Sequence, residues 1–203
     1  MGVYELSGAG SVKTPRTLYT SMNAGNMYGA MVPINGVQYS TDGQFAFTNL
    51  PQTFQDLRIV CFLRSTRAGA ATDNAAFWFG PYGANNYSET WLVGDGSTAA
   101  SSRGTNAAVF VNSAVVPAAT ATSGVYAAVT IDILNYANTS TFKTVMTRCA
   151  ADANGSGTSR LAVGLYSSTS AISSFAIVAN NGVGQNFLAG SSVYIYGIRA
   201  VSS

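Results

Sequence analysis

Short apolar runs closed off by turn residues recur along this chain, and nowhere do they take on the period of a helix. "GQFAFTNL" (43–50), "DLRIVCFLR" (56–64), "NAAFWFG" (74–80), "YSETWLV" (87–93) and "AAVFVN" (107–112) are aromatic or β-branched and too brief for helices. "VYAAVTIDIL" (125–134), "TFKTVMTR" (141–148), "RLAVGLYS" (160–167), "ISSFAIVA" (172–179) and "SSVYIYGIRAV" (191–201) continue the series. Between them stand "DG" at 42–43, "NLP" at 49–51, "FGPYG" at 79–83, "GDG" at 94–96, "NGSG" at 154–157 and "NNGVG" at 180–184, all turn chemistry. No window repeats apolar residues at three, four and seven, and the Ala-rich 68–76 is broken by Gly69 and Asn74. About ten strands at this spacing predict an all-β fold, an antiparallel β-sandwich of jelly-roll type.

Alternation within the runs assigns faces. Leu57, Ile59, Cys61 and Leu63 share one side of their strand, the expected core side, whereas Arg58, Val60, Phe62 and Arg64 share the other. In the last run Val193 and Ile195 oppose Tyr194, Tyr196 and Ile198. Both sides of these strands are apolar, which predicts that something covers the outside of the sheet.

The charge content points the same way. Only 9% of the 203 residues are Asp, Glu, Lys or Arg, against about 25% in ordinary globular proteins. A surface made of Ser, Thr, Asn, Gly and Ala has few ions to desolvate when a neighbour covers it. The formal net charge of +2 argues against a nucleic-acid or membrane-surface partner. No apolar run has the 18 or so residues of a membrane span, and the first residues lack a basic-then-apolar signal pattern.

Residues 1–35 have a different texture: small residues, scattered Tyr and Met, no period. They read as an extended arm held by a partner, with Tyr4, Leu6, Leu18, Tyr19, Met22, Met27 and Tyr28 as its anchors, in front of a sandwich domain over 36–203.

Chemistry is sparsely provided for. The chain has no His, which removes the commonest general base and zinc ligand. Cys61 and Cys149 are too few for a disulfide framework or a Cys-rich metal site, and Cys61 sits in a strand where a buried thiol is expected. The one nearby acid pair, Glu89 and Asp95, falls at the two ends of a strand, roughly 20 Å apart if extended, too far for paired-carboxylate hydrolysis. "DANGSGT" (152–158) begins like a calcium loop but lacks the closing acid and reads as an Asn-Gly turn. No cofactor, metal or catalytic residue is implied. Two groups suit binding. Arg64 and Arg67 could fork a partner's carboxylate from a rim loop, with a local bridge to Asp73 as the alternative. Trp78, Tyr82, Tyr87 and Trp91 could stack a sugar, or else supply the core and a turn.

"FAFTNLPQTFQDLRIVCFLRST", "WLVGDGS", "IDILNYANTSTFKTVMTR" and the closing "LYSSTSAISSFAIVANNGVGQNFLAGSSVYIYGI" follow in an order that resembles tailed-bacteriophage virion structural proteins, over residues 40–198 or so. The resemblance implies a jelly-roll sandwich, often trimeric, without enzyme activity. The expectation is a capsid decoration (cement) protein on the virion surface, assembled in the host cytoplasm, whose partners are copies of itself and the major capsid protein. The alternative is a head-fibre, tail-fibre or receptor-binding domain that recognises host glycan.

Overall fold

A computed structural model describes residues 31–83, 85–152, 156–179 and 185–199. Among these residues there are twelve strands and no helix: β1 (Met31–Gln38), β2 (Phe45–Phe47), β3 (Asp56–Leu63), β4 (Thr72–Phe79), β5 (Tyr87–Gly94), β6 (Ala99–Ala107), β7 (Phe110–Pro117), β8 (Ala127–Ile133), β9 (Lys143–Asp152), β10 (Gly157–Tyr166), β11 (Phe175–Ala179) and β12 (Ser192–Ile198). They form an eight-stranded sheet in the order β1-β12-β3-β8-β9-β10-β5-β6 and a four-stranded sheet in the order β2-β11-β4-β7, with antiparallel pairing throughout. Only β5–β6 and β8–β9–β10 are hairpins within one sheet; every other connection crosses the sandwich. The expected all-β antiparallel sandwich is the fold.

Two strands lie outside the runs read from the sequence. β6, "AASSRGTNA", holds no apolar residue larger than Ala and has no alternation to detect. β1 falls partly in the stretch assigned to the arm. Met31 pairs with Ile198 and Val32 is buried, so residues 31–35 pair within the sandwich. Pro33 concealed this strand: a residue without an N–H suits a sheet edge, and the pairing with β12 slips between Pro33 and Asn35.

The core follows the alternation. Leu57, Ile59, Cys61 and Leu63 are at most 2% exposed, as are Val193 and Ile195. Opposite them the small sheet contributes Phe77, Phe79 and Phe175, which meet Phe110, Tyr87 and Tyr166 in one aromatic cluster with ring centroids 4.9–6.3 Å apart. Phe110 crosses from β7 to lie on Gly164 of β10, where a Cβ would stand 2.3 Å from the ring. Gly197 of β12 receives the Phe54 ring in the same way. These glycines are required by close approach of a ring, not by a turn.

Two buried cations tie down loops at the sandwich ends. Lys143 has no exposed surface, and its Nζ donates to the carbonyls of Thr141 (3.1 Å), Ser168 (3.2 Å), Thr169 (2.9 Å) and Ser170 (2.7 Å). Arg64, just past β3, donates from Nη1 to Thr122 and Val125 and from Nη2 to Ala118 and Ala121, at 2.7–3.0 Å. The loop between β7 and β8 is folded around that guanidinium. Backbone carbonyls buried without donors are costly, so each cation organises its loop.

Lys143→Met and Arg64→Met are each expected to lower unfolding free energy by about 3 kcal/mol, because each orphans several buried carbonyls; urea titration followed by tryptophan fluorescence checks this. Gly164→Ala should cost about 2 kcal/mol by overpacking Phe110, whereas alanine at Gly96, an exposed turn with space around its Cα, should act only through its φ of 91° and cost about 1 kcal/mol.

Candidate interaction face

The four-stranded sheet covers only part of the inner side of the wide sheet, and no described strand lies on its outer side, where Tyr126 of the β7–β8 loop stacks on Phe62 at 4.6 Å. Period-two alternation places one side chain from each strand in rows across this outer side. One row runs Tyr194, Val60, Thr130, Arg148, Leu161, Leu92, Ser101; the next runs Tyr196, Arg58, Asp132, Met146, Val163, Thr90, Arg103. Phe62 and Leu165 extend the apolar area at two corners. Val60, Phe62, Tyr194, Met146, Leu161, Val163, Leu165 and Leu92 are 36–57% exposed, high for large apolar side chains at sheet centres. Large apolar side chains exposed in this number make the face a candidate contact surface.

The charges near the middle of this face are paired. Asp132 receives Arg58 in a fork, Nε to Oδ1 at 2.6 Å and Nη2 to Oδ2 at 3.1 Å, and Arg148 Nη2 lies 3.4 Å from Oδ2. The hydrogen bond to Asp132 raises the already high pKa of Arg58. Arg103, Asp56 and Asp152 also occupy outward positions, so the formal charges of this face balance.

The residues singled out from the sequence are dispersed. Arg64 is buried and saturated by loop carbonyls, so it cannot fork a partner's carboxylate; β3 ends at Leu63, and alternation no longer sends the next side chain outward. Arg67 is half-exposed and turned to its own loop, with Nη1 3.9 Å from Asp73 Oδ1 and donating to Thr72 O at 3.4 Å. The local alternative describes it. Trp78 is half-buried on the outer side of the small sheet, edge-on to Tyr82 at 5.2 Å, and Tyr82 is 70% exposed. Tyr87 lies in the core, where its hydroxyl donates to Phe79 O (2.7 Å) and accepts from Phe79 N–H (2.9 Å); burial pushes the phenol's pKa up. Trp91 points inward beneath Arg160, whose guanidinium carbon is 5.9 Å from the ring centroid. Residues 87, 89 and 91 share the inward side of β5, so the four aromatics form no single sugar platform, and only Trp78 and Tyr82 stand together. Tyr4, Leu6, Leu18, Tyr19, Met22, Met27 and Tyr28 lie outside the described residues.

The acids are likewise committed to structure. Glu89 Oε1 accepts from the Val111 and Asn112 amides at 3.2 and 2.8 Å and Oε2 from Ser113 Oγ at 2.5 Å, which ties β5 of one sheet to β7 of the other. Asp95 closes the exposed β5–β6 turn by accepting from the Thr98 and Ser97 amides, and those bonds hold its carboxyl well below the usual range. Asp152 pairs with Gly157 at the base of the β9–β10 hairpin. Among the described residues no three His, Cys, Asp or Glu side chains are grouped as a metal ion would need.

Sequence reasoning missed Lys143, the Arg58–Asp132–Arg148 group and the reach of the outer face. Arg58 and Asp132 both occupy outward positions of predicted strands, but their pairing depends on β3 and β8 being neighbours, which no local pattern encodes.

No protein-family model, curated protein or solved structure matches this chain.

Both thiols are free and buried, and burial pushes their pKa values up. A thiol is reactive as its thiolate, so neither Cys61 nor Cys149 is expected to react with a disulfide reagent at pH 8 until denaturant is added. Prompt native-state labelling would contradict this placement.

Proposed function

We propose that the protein is a structural subunit of a tailed-phage virion, a capsid decoration protein that seats the outer face of its eight-stranded sheet on the shell. One observation carries the reading: the broad, exposed apolar side of that sheet in a chain with 18 formal charges on 203 residues. The family resemblance of the blocks over residues 40–198 supplies the phage context. The function is mechanical. Each subunit bridges capsid proteins and buries neutral surface, and about 1,600 Å² per contact suffices for specific binding. Repetition through a homotrimer adds avidity without new contacts. Arm residues Tyr4, Leu6, Leu18, Tyr19, Met22, Met27 and Tyr28 serve as further anchors. No catalytic step and no cofactor enters this account.

A glycan-binding fibre domain is the second reading, and the edge-on Trp78–Tyr82 pair with its exposed Tyr82 is the feature that favours it. Rings offered in this way can stack on sugar faces.

Labelled antibody against the protein should decorate the shell of the virions that carry it, in many copies, when viewed by electron microscopy. Met146→Glu with Val163→Glu should abolish addition to shells and change folding stability by no more than about 1 kcal/mol, since both side chains are exposed. Label confined to the tail, with a glycan-array signal lost in Trp78→Ala, would replace this reading with the fibre domain.

A further inference from the structure

Among the described residues β6 ends the eight-stranded sheet, with β5 as its one neighbour. Its nine residues are exposed or half-exposed throughout, with one charge, Arg103, and no proline. A long edge strand offers a row of unpaired N–H and C=O groups that accepts another strand unless proline, charge or a bulge blunts it. The opposite edge is blunted, because β1 carries Pro33 and a register slip. In β6 the irregularity lies beyond Gly104, and 99–104 pair regularly with β5. That stretch is an open template.

The side chains beside the template describe its occupant. On the outer face β6 presents Ala99, Ser101 and Arg103, and Leu92, paired with Ser101, is 57% exposed. A strand added at β6 with large apolar residues at alternate positions would lean over Ala99 and Ser101 onto Leu92. Backbone pairing would give affinity, and the alternate pockets would give selectivity.

We propose that residues 17–22, "TLYTSM", of a second copy of this chain add to β6 as a ninth strand. Leu18 and Met22 share one side of that run with Thr20, Pro15 bounds it before and Asn23-Ala24-Gly25 after. The chain's own residues 17–22 are too short a tether away. Beside β6, residue 22 would stand eight strand spacings from β1, about 38 Å at ~4.8 Å each. The nine steps from residue 22 to Met31 span at most about 31 Å fully extended. Two-fold pairing of β6 with β6 of a second copy is disfavoured, because centring it sets Arg103 opposite Arg103. Donation is therefore head-to-tail, and it closes as a ring or continues as a filament according to the rotation between copies. This inference concerns self-association and stands whether or not the particle is a phage shell.

Sedimentation velocity of the full chain tests it. The unaltered protein should be oligomeric at micromolar concentration, and Leu18→Asp with Met22→Asp should make it monomeric with an unchanged melting temperature. Neighbouring residues of a strand turn their N–H groups to opposite sides, so one of Ser101→Pro and Ser102→Pro should dissociate the oligomer without loss of stability while the other weakens the β5–β6 pair. Thr20→Cys protein mixed with Ser101→Cys protein should form a disulfide between chains. A monomeric unaltered protein, an oligomer that survives the Leu18 and Met22 changes, or a cross-link formed within one chain carrying both cysteines would each overturn the proposal. Loss of shell binding with self-association intact would fault the capsid reading and leave this one standing.

Discussion

The close contact between Phe110 and Gly164 fixes how the two sheets of this protein meet. Phe110 sits on β7, the strand of the small sheet that lies over the middle of the wide one, and its ring fills the place where a side chain of β10 would stand. Around it Phe77, Phe79 and Phe175 from the small sheet interlock with Tyr87 and Tyr166 from the wide sheet. Rings of this size bury much apolar area each, and their tilted and edge-on arrangement adds to it. Because the cluster lies between the sheets, it also fixes which side of the wide sheet is inside.

That choice has an outward consequence. In β3, β8, β9 and β10 every second residue is committed to the core, and the residues between them are turned to the other side. Those residues include Val60, Met146, Leu161 and Val163, where water-facing strands usually place polar side chains. Several of the chain's few charges are used elsewhere. Lys143 and Arg64 are sunk among carbonyls, Glu89 bridges the sheets, and Asp95 closes a turn. What is left outside is neutral and apolar, with one Arg–Asp–Arg group at its centre, and such a surface gives up little hydration when it is covered.

Much of this was legible from residue order. The inward sides of β3 and β12 follow from Leu57, Ile59, Cys61 and Leu63 and from Val193 and Ile195, since alternation is a local property and the turn residues set its phase. The apolar second side of the same strands was legible for the same reason. β6 was not, because a strand held at an edge by backbone bonds alone needs no hydrophobic alternation. Arg64 was misjudged by one position: had β3 continued, its side chain would have faced solvent, but the strand stops at Leu63 and the next residue folds into the interior. The aromatic quartet was split by phase, with Trp78 outward on β4 and Tyr87 and Trp91 inward on β5.

The sequence by itself determined the all-β class, the faces of the long strands and the shortage of charge, because each is written in the composition or in a period of two. Strand order was decided only in three dimensions. It sets β8 beside β3 so that Asp132 meets Arg58, brings Ser168, Thr169 and Ser170 around Lys143, and leaves β6 rather than a more protected strand at the free edge. Those arrangements join residues far apart along the chain, and the free energy that selects them resides in packing between sheets, which no local stretch of sequence contains.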